Sequence, residues 1–412
     1  MQFFAQVNVT VGAFFALSGY VSAYTYNTCC TTRIGGETTD ASFFLTKQKW
    51  WLSKAMTFCP QHWCVLLVFG PMFVYSDLVA APTAARGLAT AIANGILSFT
   101  LTQAWFPMNH AEIWNAPTWF LSSLSFCNVV LAMALPRMPT SHNNNNNNNN
   151  DKGRLRLRIA LVWLYWINLV PVLVYLYFCC VRNNTSSWGL VEGMIPPNEH
   201  PSLGLFNVLR FFPVFNAAET LMGAVACNIV MLEHTTASKA PTTSRMAATM
   251  AVAVPFGITI GILVGRAVGW IPDCSDLFVR KVIFVPVFLN SVMALHRNAI
   301  LVVLSDKQSK SKFSIRIDPI SALLSTELLV WLGTLSFPVY ILHGPIGQLF
   351  YKRAIATKLW GGVLRGKGYF VLYIASVILS AMLVQTIFSN RNNTGGRGIG
   401  VATKRIVKWF GS

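Results

Sequence analysis

The chain consists mainly of apolar runs, most of which are long enough to cross a lipid bilayer as one α-helix. A spanning helix needs roughly 20 predominantly apolar residues, and in lipid a helix satisfies its backbone hydrogen bonds internally. Only 11% of the residues are charged, compared with about 25% in soluble domains. The sequence therefore predicts an all-α, polytopic transmembrane bundle of about ten helices. The predicted runs are residues 3–26, 62–75 (extending to 81), 88–106, 119–135, 159–181, 206–232, 246–268, 282–304, 328–350 and 369–388.

The formal net charge of +18 comes mostly from basic residues in the short loops between apolar runs. Lysine and arginine concentrate in the cytoplasmic loops of membrane proteins. We therefore interpret the charge as a sign of topology, and predict a multi-pass integral membrane protein with lipid as a partner and no nucleic acid partner. Phosphate-bearing ligands or anionic lipid are the secondary interpretation of the charge.

One membrane domain is predicted over residues 1–388. The run Asn143–Asn150 cannot build a core, so residues 139–152 are expected to form a disordered insertion. Residues 389–412 are rich in Gly, Lys and Arg and are expected to form a flexible basic tail. The nine cysteines show no metal-ligand spacing, so no metal is predicted.

For two loops, the charge rule and the alternation of helix direction predict opposite sides of the membrane. If the basic residues from Arg33 to Lys54 face the cytoplasm, full crossings place the basic loop after Arg137 on the opposite side, against the charge rule. One run, foremost 88–106 or its neighbour, is therefore expected to re-enter rather than cross. The loop Lys352–Lys367 is also basic on the predicted outer side, and the alternation gives no reason for that charge.

The first run carries many small residues, which allow close approach of a second membrane helix. These residues are Gly12, Ala13, Ala16, Ser18, Gly19, Ser22 and Ala23. Another helix is therefore expected to pack against this run.

An arginine and a glutamate occur within or at the edge of the run 206–232. Arg210 and Glu219 are costly in lipid unless they are paired or face a cavity, so they are functional candidates on physical grounds. Their spacing of nine residues, with Pro213 between them, does not predict a direct pair. Snorkelling of Arg210 to the interface is the alternative.

Three motifs in chain order resemble the acyltransferase type 3 family of multi-pass membrane enzymes, and the resemblance extends over residues 11–387. Phe14-Phe-Ala-Leu-Ser-Gly-Tyr20 is similar to its "FF-x-LSG-[FY]" signature. Pro117-Thr-Trp-Phe-Leu-Ser122 is similar to "P-x-W-[FY]-[LI]-S". Leu332-Gly-Thr-Leu-Ser-Phe-Pro-Val-Tyr340-Ile-Leu-His343-Gly-Pro345 is similar to "LG-x-[IL]-S-x-x-[LV]-Y-x-[LI]-H-x-P", the most specific of the three.

The resemblance implies transfer of an acyl group, foremost acetyl, from acyl-CoA to a hydroxyl of a carbohydrate or lipid acceptor. Acyl-CoA, foremost acetyl-CoA, is then a co-substrate. The segment Lys47, Lys49, Lys54 before Pro60 resembles the basic segment that precedes the third helix of the family, and is expected to bind the donor phosphates. Ordinary positive-inside lysines are the alternative.

Acyl transfer requires a base for the hydroxyl proton and donors for the oxyanion. The segment Arg210-Phe-Phe-Pro-Val-Phe215 also resembles a helix of the family, "R-[FL]-x-P-x-F…G". The residues that match the family motifs suggest His343 as the base, and Arg210, Ser122 and Tyr340 as oxyanion donors. Tyr340 and His343 are three residues apart and share a helical face. A histidine in a membrane helix that serves only packing or hydrogen bonding is the alternative for His343.

Members of the family carry a histidine on a helix that precedes the "LSG" helix, and this histidine is taken to deprotonate the acceptor. The printed sequence has no residues there, so either a truncated start or a degenerate relative is expected. Two other functions therefore stay open. One is a catalytically silent scaffold, and the other is a transporter or exporter that uses Arg210, Glu219 and His343.

Overall fold

The structure is a computed structural model that describes residues 7–31, 40–107, 113–139, 147–178, 203–236, 245–270, 276–308 and 319–393. All regular secondary structure in these residues is helical. This confirms the predicted all-α polytopic bundle and identifies an integral membrane protein. Eight helices in the described ranges are long and apolar enough to cross a membrane, namely Thr57–Ala80, Ala116–Arg137, Asn150–Leu176, Asn207–Glu233, Thr249–Val268, Val279–Ile300, Glu327–Tyr351 and Lys367–Phe388.

The helices are numbered in chain order. They are α1 (Val7–Thr31), α2 (Asp40–Ala80), α3 (Ala84–Thr100), α4 (Trp119–Ala134), α5 (Asn147–Leu176), α6 (Leu203–Phe211), α7 (Pro213–Thr236), α8 (Arg245–Val268), α9 (Asp276–Phe278), α10 (Val285–Gln308), α11 (Pro319–Leu324), α12 (Glu327–Tyr351), α13 (Arg353–Trp360) and α14 (Lys367–Asn393). A π-helical segment, Val279–Phe284, joins α9 to α10 without a break.

Two of the ten predicted apolar runs, 3–26 and 88–106, have no counterpart among the eight candidate spans in the described ranges. Helix α1 has 25 residues, but many of them are small or carry hydroxyl groups. Helix α3 has 17 residues, which is at the short end of the length that a membrane span needs. The re-entry of this run stays a prediction.

Several helices begin well before their apolar runs. Helix α2 begins at Asp40 and α5 at Asn147, whereas the apolar runs begin at residues 62 and 159. A helix forms its backbone hydrogen bonds within itself, so it can continue through polar sequence. Residues 147–152 of the predicted disordered insertion are helical, because they form the start of α5.

The first of two compact units comprises Met1–Leu52 and Ser122–Ala322. Its core is built where α1, α4, α7 and α10 meet. A Cβ atom added at Gly19 would lie 1.8 Å from the carbonyl oxygen of Thr220, and one added at Gly223 would lie 1.8 Å from that of Ala16. Helices α1 and α7 therefore approach backbone to backbone, which confirms the predicted packing on the small residues of α1.

The second unit comprises Ser53–Leu121 and Leu323–Ser412. Its core contains residues of α2, α12 and α14, including Val65, Ile341 and Val377. The segment that leads into α4 is fastened to α12, because the side-chain amide of Asn115 donates to the carbonyl oxygen of Ile341 at 2.9 Å. The side-chain amide of Gln348 also donates to this segment, to the carbonyl oxygen of Trp114 at 3.0 Å.

Candidate functional site

The site in the first unit begins at the break between α6 and α7. Pro213 has no backbone N–H, so a helical hydrogen bond is missing at this point. The side-chain amide nitrogen of Asn216 lies 3.3 Å from the carbonyl oxygen of Phe211 and 3.4 Å from those of Arg210 and Phe212. The hydroxyl of Ser123 donates to the Phe211 oxygen at 2.8 Å. Side-chain donors thus contact the carbonyl groups at the break.

One turn further along α7, Glu219 binds two basic side chains, and we call Glu219, Arg280 and Lys281 the ionic cluster. Nε of Arg280 donates to Oε1 of Glu219 at 3.0 Å, and Nη2 donates to Oε2 at 2.5 Å. Nζ of Lys281 donates to Oε1 at 3.0 Å. The side chains are 2% exposed for Arg280 and 0% exposed for the other two.

The π-helical segment brings the two cations to one carboxylate. Arg280 and Lys281 are adjacent in sequence, and neighbouring side chains on an α-helix normally point in different directions. Both residues lie within Val279–Phe284, where the turn is wider than in an α-helix. Single π turns inside longer helices occur frequently at functional sites.

Amide side chains complete the coordination of the two cations. Nη2 of Arg280 also donates to Oδ1 of Asn216 at 2.9 Å. Nζ of Lys281 donates to Oδ1 of Asn168 at 3.0 Å and to the carbonyl oxygen of Phe215 at 3.2 Å. The three N–H groups of the ammonium therefore have three acceptors.

The first motif of the chain contacts the ionic cluster directly. The guanidinium of Arg280 lies 5.5 Å from the centroid of the Phe15 ring, a cation–π distance. A Cβ atom at Gly12 would lie 2.8 Å from the Arg280 side chain. The Phe14–Tyr20 segment thus shapes the surroundings of the cluster as well as the contact with α7.

The ionic cluster carries two positive charges and one negative charge. Charges buried in a low-dielectric interior are costly even when paired, and ionisable groups in membrane helices generally mark functional positions. Three N–H donors hold the oxygens of Glu219, so this carboxylate is poorly placed to act as a base. The arrangement instead provides a rigid positive potential inside the first unit.

A second polar group in this unit joins α1 to α10. The hydroxyl of Tyr20 and Nδ1 of His296 are 2.7 Å apart, and the ring of Tyr24 packs edge-on against His296. Beyond them Glu233 accepts hydrogen bonds from Arg297 at 2.9 Å and from Arg158 at 3.0 Å. These contacts fasten the ends of four helices.

Of the predicted oxyanion donors, Ser122 and Arg210 lie in the first unit. Ser122 is buried in α4, next to the serine that covers the α6–α7 break. The guanidinium of Arg210 lies 5.0 Å from the centroid of the neighbouring Phe211 ring. Glu219 pairs with Arg280 and Lys281, a pairing that the sequence analysis did not predict.

Tyr340 and His343 lie in the second unit, with their ring centroids 5.7 Å apart. The hydroxyl of Tyr340 donates to the carbonyl oxygen of Pro117, so one family motif binds another here. Nδ1 of His343 lies 2.6 Å from the carbonyl oxygen of Tyr340. A carbonyl only accepts, so Nδ1 carries the proton and Nε2 of the neutral ring has the free lone pair.

The predicted donor-binding lysines all lie on α2. The side chains of Lys47 and Lys49 fall outside the described part of the chain, and that of Lys54 is partly buried in the second unit. Within the described ranges, no group of three or more His, Cys, Asp and Glu residues could hold a metal ion.

Arg280 and Lys281 are the functional candidates that the sequence analysis missed. The predicted run began at residue 282, so both residues fell just outside it, where basic residues usually flank a membrane helix. The available signal was Glu219, because a carboxylate in an apolar run requires a cationic partner from another helix.

These features define a class, a multi-pass helical membrane protein with a buried ionic cluster and a histidine whose Nε2 can accept a proton. The sequence profile of the family described as "Acyltransferase domain" matches residues 2–385, and the chain belongs to this acyltransferase type 3 family. No curated protein and no solved structure matches the chain. The chain is therefore a membrane acyltransferase by family.

Proposed function

We propose that the protein transfers an acyl group, foremost acetyl, from acyl-CoA to a hydroxyl of a carbohydrate or lipid acceptor. The family match over residues 2–385 is the observation that carries this proposal. The eight candidate membrane spans support an acceptor that is embedded in the bilayer or presented at its surface.

In the proposed reaction, the acceptor oxygen attacks the thioester carbonyl, and the hydroxyl proton passes to a base. The tetrahedral intermediate then collapses, the C–S bond breaks and the CoA thiolate leaves, taking up a proton. The intermediate carries an oxyanion that hydrogen-bond donors must stabilise. A base and oxyanion donors are therefore the groups that the protein must supply.

His343 is proposed as the base. The hydrogen bond from its Nδ1 to the Tyr340 carbonyl oxygen orients the ring and leaves Nε2 as the proton acceptor. The carbonyl oxygen of His343 itself accepts a hydrogen bond from the hydroxyl of Tyr373 at 3.1 Å, which joins this turn of α12 to α14. The histidine is thus held on a packed part of the second unit.

Lys47, Lys49 and Lys54 are proposed to bind the donor phosphates, and Ser122, Arg210 and Tyr340 to stabilise the oxyanion. For the ionic cluster we propose a positioning role, because its cations are fully engaged by Glu219 and the amide side chains. It holds α7 and the π-helical segment in one arrangement within the first unit.

The test uses purified full-length protein in lipid nanodiscs with labelled acetyl-CoA and two acceptor pools, one of lipids and one of saccharides. Label in the acceptor and release of the free CoA thiol are both measured. His343→Gln should lower the transfer rate by about 10²–10⁴-fold, the usual contribution of a general base. His296→Gln is the matched control, because it removes another partly buried helical histidine that we do not place in the reaction.

A folded wild-type protein that transfers label to neither pool would contradict the proposal and favour the catalytically silent scaffold. Equal losses in the two histidine variants would contradict the role of His343. Melting temperatures measured in parallel separate unfolding from loss of catalysis.

A further inference from the structure

The basic loop Lys352–Lys367 forms part of a pocket. The alternation of helices across the membrane gave no reason for the charge of this loop. Two adjoining open cavities of about 540 Å³ and 460 Å³ lie beside α13 and share Arg353 and Thr357. We call them together the basic pocket. Its lining residues are Tyr75, Arg353, Ala354, Thr357, Lys358, Gly362, Val363 and Arg365.

The cations of the basic pocket have no carboxylate partner within the described residues. Arg353, Lys358 and Arg365 are exposed, and the ammonium of Lys358 lies 4.6 Å from the centroid of the Tyr75 ring. A topology signal alone would not require Arg353, Lys358 and Arg365 to line two adjoining cavities. This convergence creates a local positive potential that is suited to an anion.

The pocket is held in place by its attachment to the end of α12. The indole N–H of Trp360 donates to the carbonyl oxygen of Leu349 at 2.9 Å, and the backbone N–H of Leu364 donates to that of Phe350 at 3.2 Å. The connection to α14 turns at Gly361, whose φ of 77° is left-handed and favours glycine. The cations are therefore presented from a fixed backbone.

The groups in the pocket match a phosphate. Arginine guanidinium groups bind phosphate oxygens through paired N–H donors, and lysine adds a point charge. Arg353 and Thr357 are one helical turn apart on α13 and lie on the same face, so a hydroxyl donor stands beside the guanidinium.

The pocket lies far from the predicted donor-binding lysines. Tyr75 follows Lys54 by 21 residues on α2, which corresponds to roughly 30 Å along a helix. The segment between them includes most of the candidate span Thr57–Ala80. The pocket and Lys54 therefore lie towards opposite faces of the membrane.

We propose that the basic pocket binds a phosphate group, and that this phosphate belongs to the acyl acceptor or to an anionic lipid that accompanies it. The assignment to the acceptor rests on the proposed acyl transfer, in which the donor binds at Lys54. The phosphate groups of CoA present the same chemical group to the pocket, so CoA is the alternative ligand that the experiment distinguishes.

The test measures binding of two phosphate probes to the purified full-length protein, without turnover. The probes are dioctanoyl phosphatidic acid and free CoA, and dioctanoylglycerol is the control without phosphate. The double variant Arg353→Gln/Arg365→Gln should bind phosphatidic acid at least tenfold more weakly than wild type and should bind CoA as wild type does. Arg86→Gln removes an exposed arginine elsewhere in the second unit and should change neither affinity.

Loss of CoA binding alone in the double variant would overturn the assignment to the acceptor or lipid and make the pocket a site for the donor phosphates. Unchanged binding of both phosphatidic acid and CoA by the double variant would overturn the phosphate site itself, as would equal binding of dioctanoylglycerol and phosphatidic acid by wild type. Loss of phosphatidic acid binding in a protein that transfers no acyl group would uphold the phosphate site and contradict only the proposed reaction.

Discussion

Replacing Glu219 with glutamine removes the carboxylate that faces two buried cations. The neutral amide leaves Arg280 and Lys281 without a counter-charge at positions that are 2% and 0% exposed. Removing one partner of a buried ion pair usually costs about 3–5 kcal/mol. Two cations lose their partner here, so we expect a loss of free energy of unfolding towards the upper end, about 5 kcal/mol.

The loss is measured by equilibrium unfolding of the full-length protein in mixed micelles, with tryptophan fluorescence as the signal. Glu233→Gln is the matched control, because Glu233 also binds two basic residues but its side chain is 21% exposed. Ion pairs that contact solvent contribute about 0–1 kcal/mol. A Glu219→Gln variant within about 1 kcal/mol of wild type would refute the argument.

A compensating variant tests whether uncompensated charge causes the loss. Glu219→Leu, Arg280→Met and Lys281→Met together remove the ionic cluster and keep similar side-chain volumes. Apolar replacement of a whole buried ionic group is often neutral or stabilising, so this variant should be more stable than Glu219→Gln alone. If it is equally unstable, the loss comes from packing and not from charge.

Three further variants test the packing and the hydrogen bonds of the first unit. Gly223→Ala should cost at least about 2 kcal/mol through overpacking. The control Gly257→Ala, in the interior of α8, meets no atom within 4 Å and should be neutral or stabilising by up to about 1 kcal/mol in the same unfolding assay. Tyr20→Phe should cost about 1 kcal/mol through loss of the hydrogen bond to His296, and an unchanged midpoint would contradict this. Asn216→Leu should cost about 1–3 kcal/mol, because donors and acceptors lose a buried partner. A stable Asn216→Leu variant would show that water replaces the amide.

The membrane architecture could be predicted from the sequence because hydrophobic length is a local property. The length of each apolar run indicates, without reference to the rest of the chain, whether a helix can cross the bilayer. The close packing of α1 could also be predicted, since Gly19 and the small residues around it allow backbone approach without reference to the partner helix. The helix starts at Asp40 and Asn147 could not, because polar sequence outside the bilayer does not mark where a helix begins.

Part of the candidate site could be predicted in the same way. Tyr340 and His343 share one helix face because of their spacing, and the structure places their rings side by side. The partner of the Tyr340 hydroxyl, the carbonyl oxygen of Pro117, lies more than two hundred residues away. Only the folded second unit brings the two motifs together.

Consecutive residues are enough to identify a helical membrane protein of the acyltransferase type 3 family, because both the length of an apolar run and a short motif are local features of a sequence. The binding of Glu219 to Arg280 and Lys281 and the pocket that Arg353 and Arg365 line arise only in the folded molecule. Such arrangements depend on helix packing, on a π-helical turn and on a fixed loop. The free energy of a buried charge depends on all the groups around it, so residue identities alone do not determine its partners.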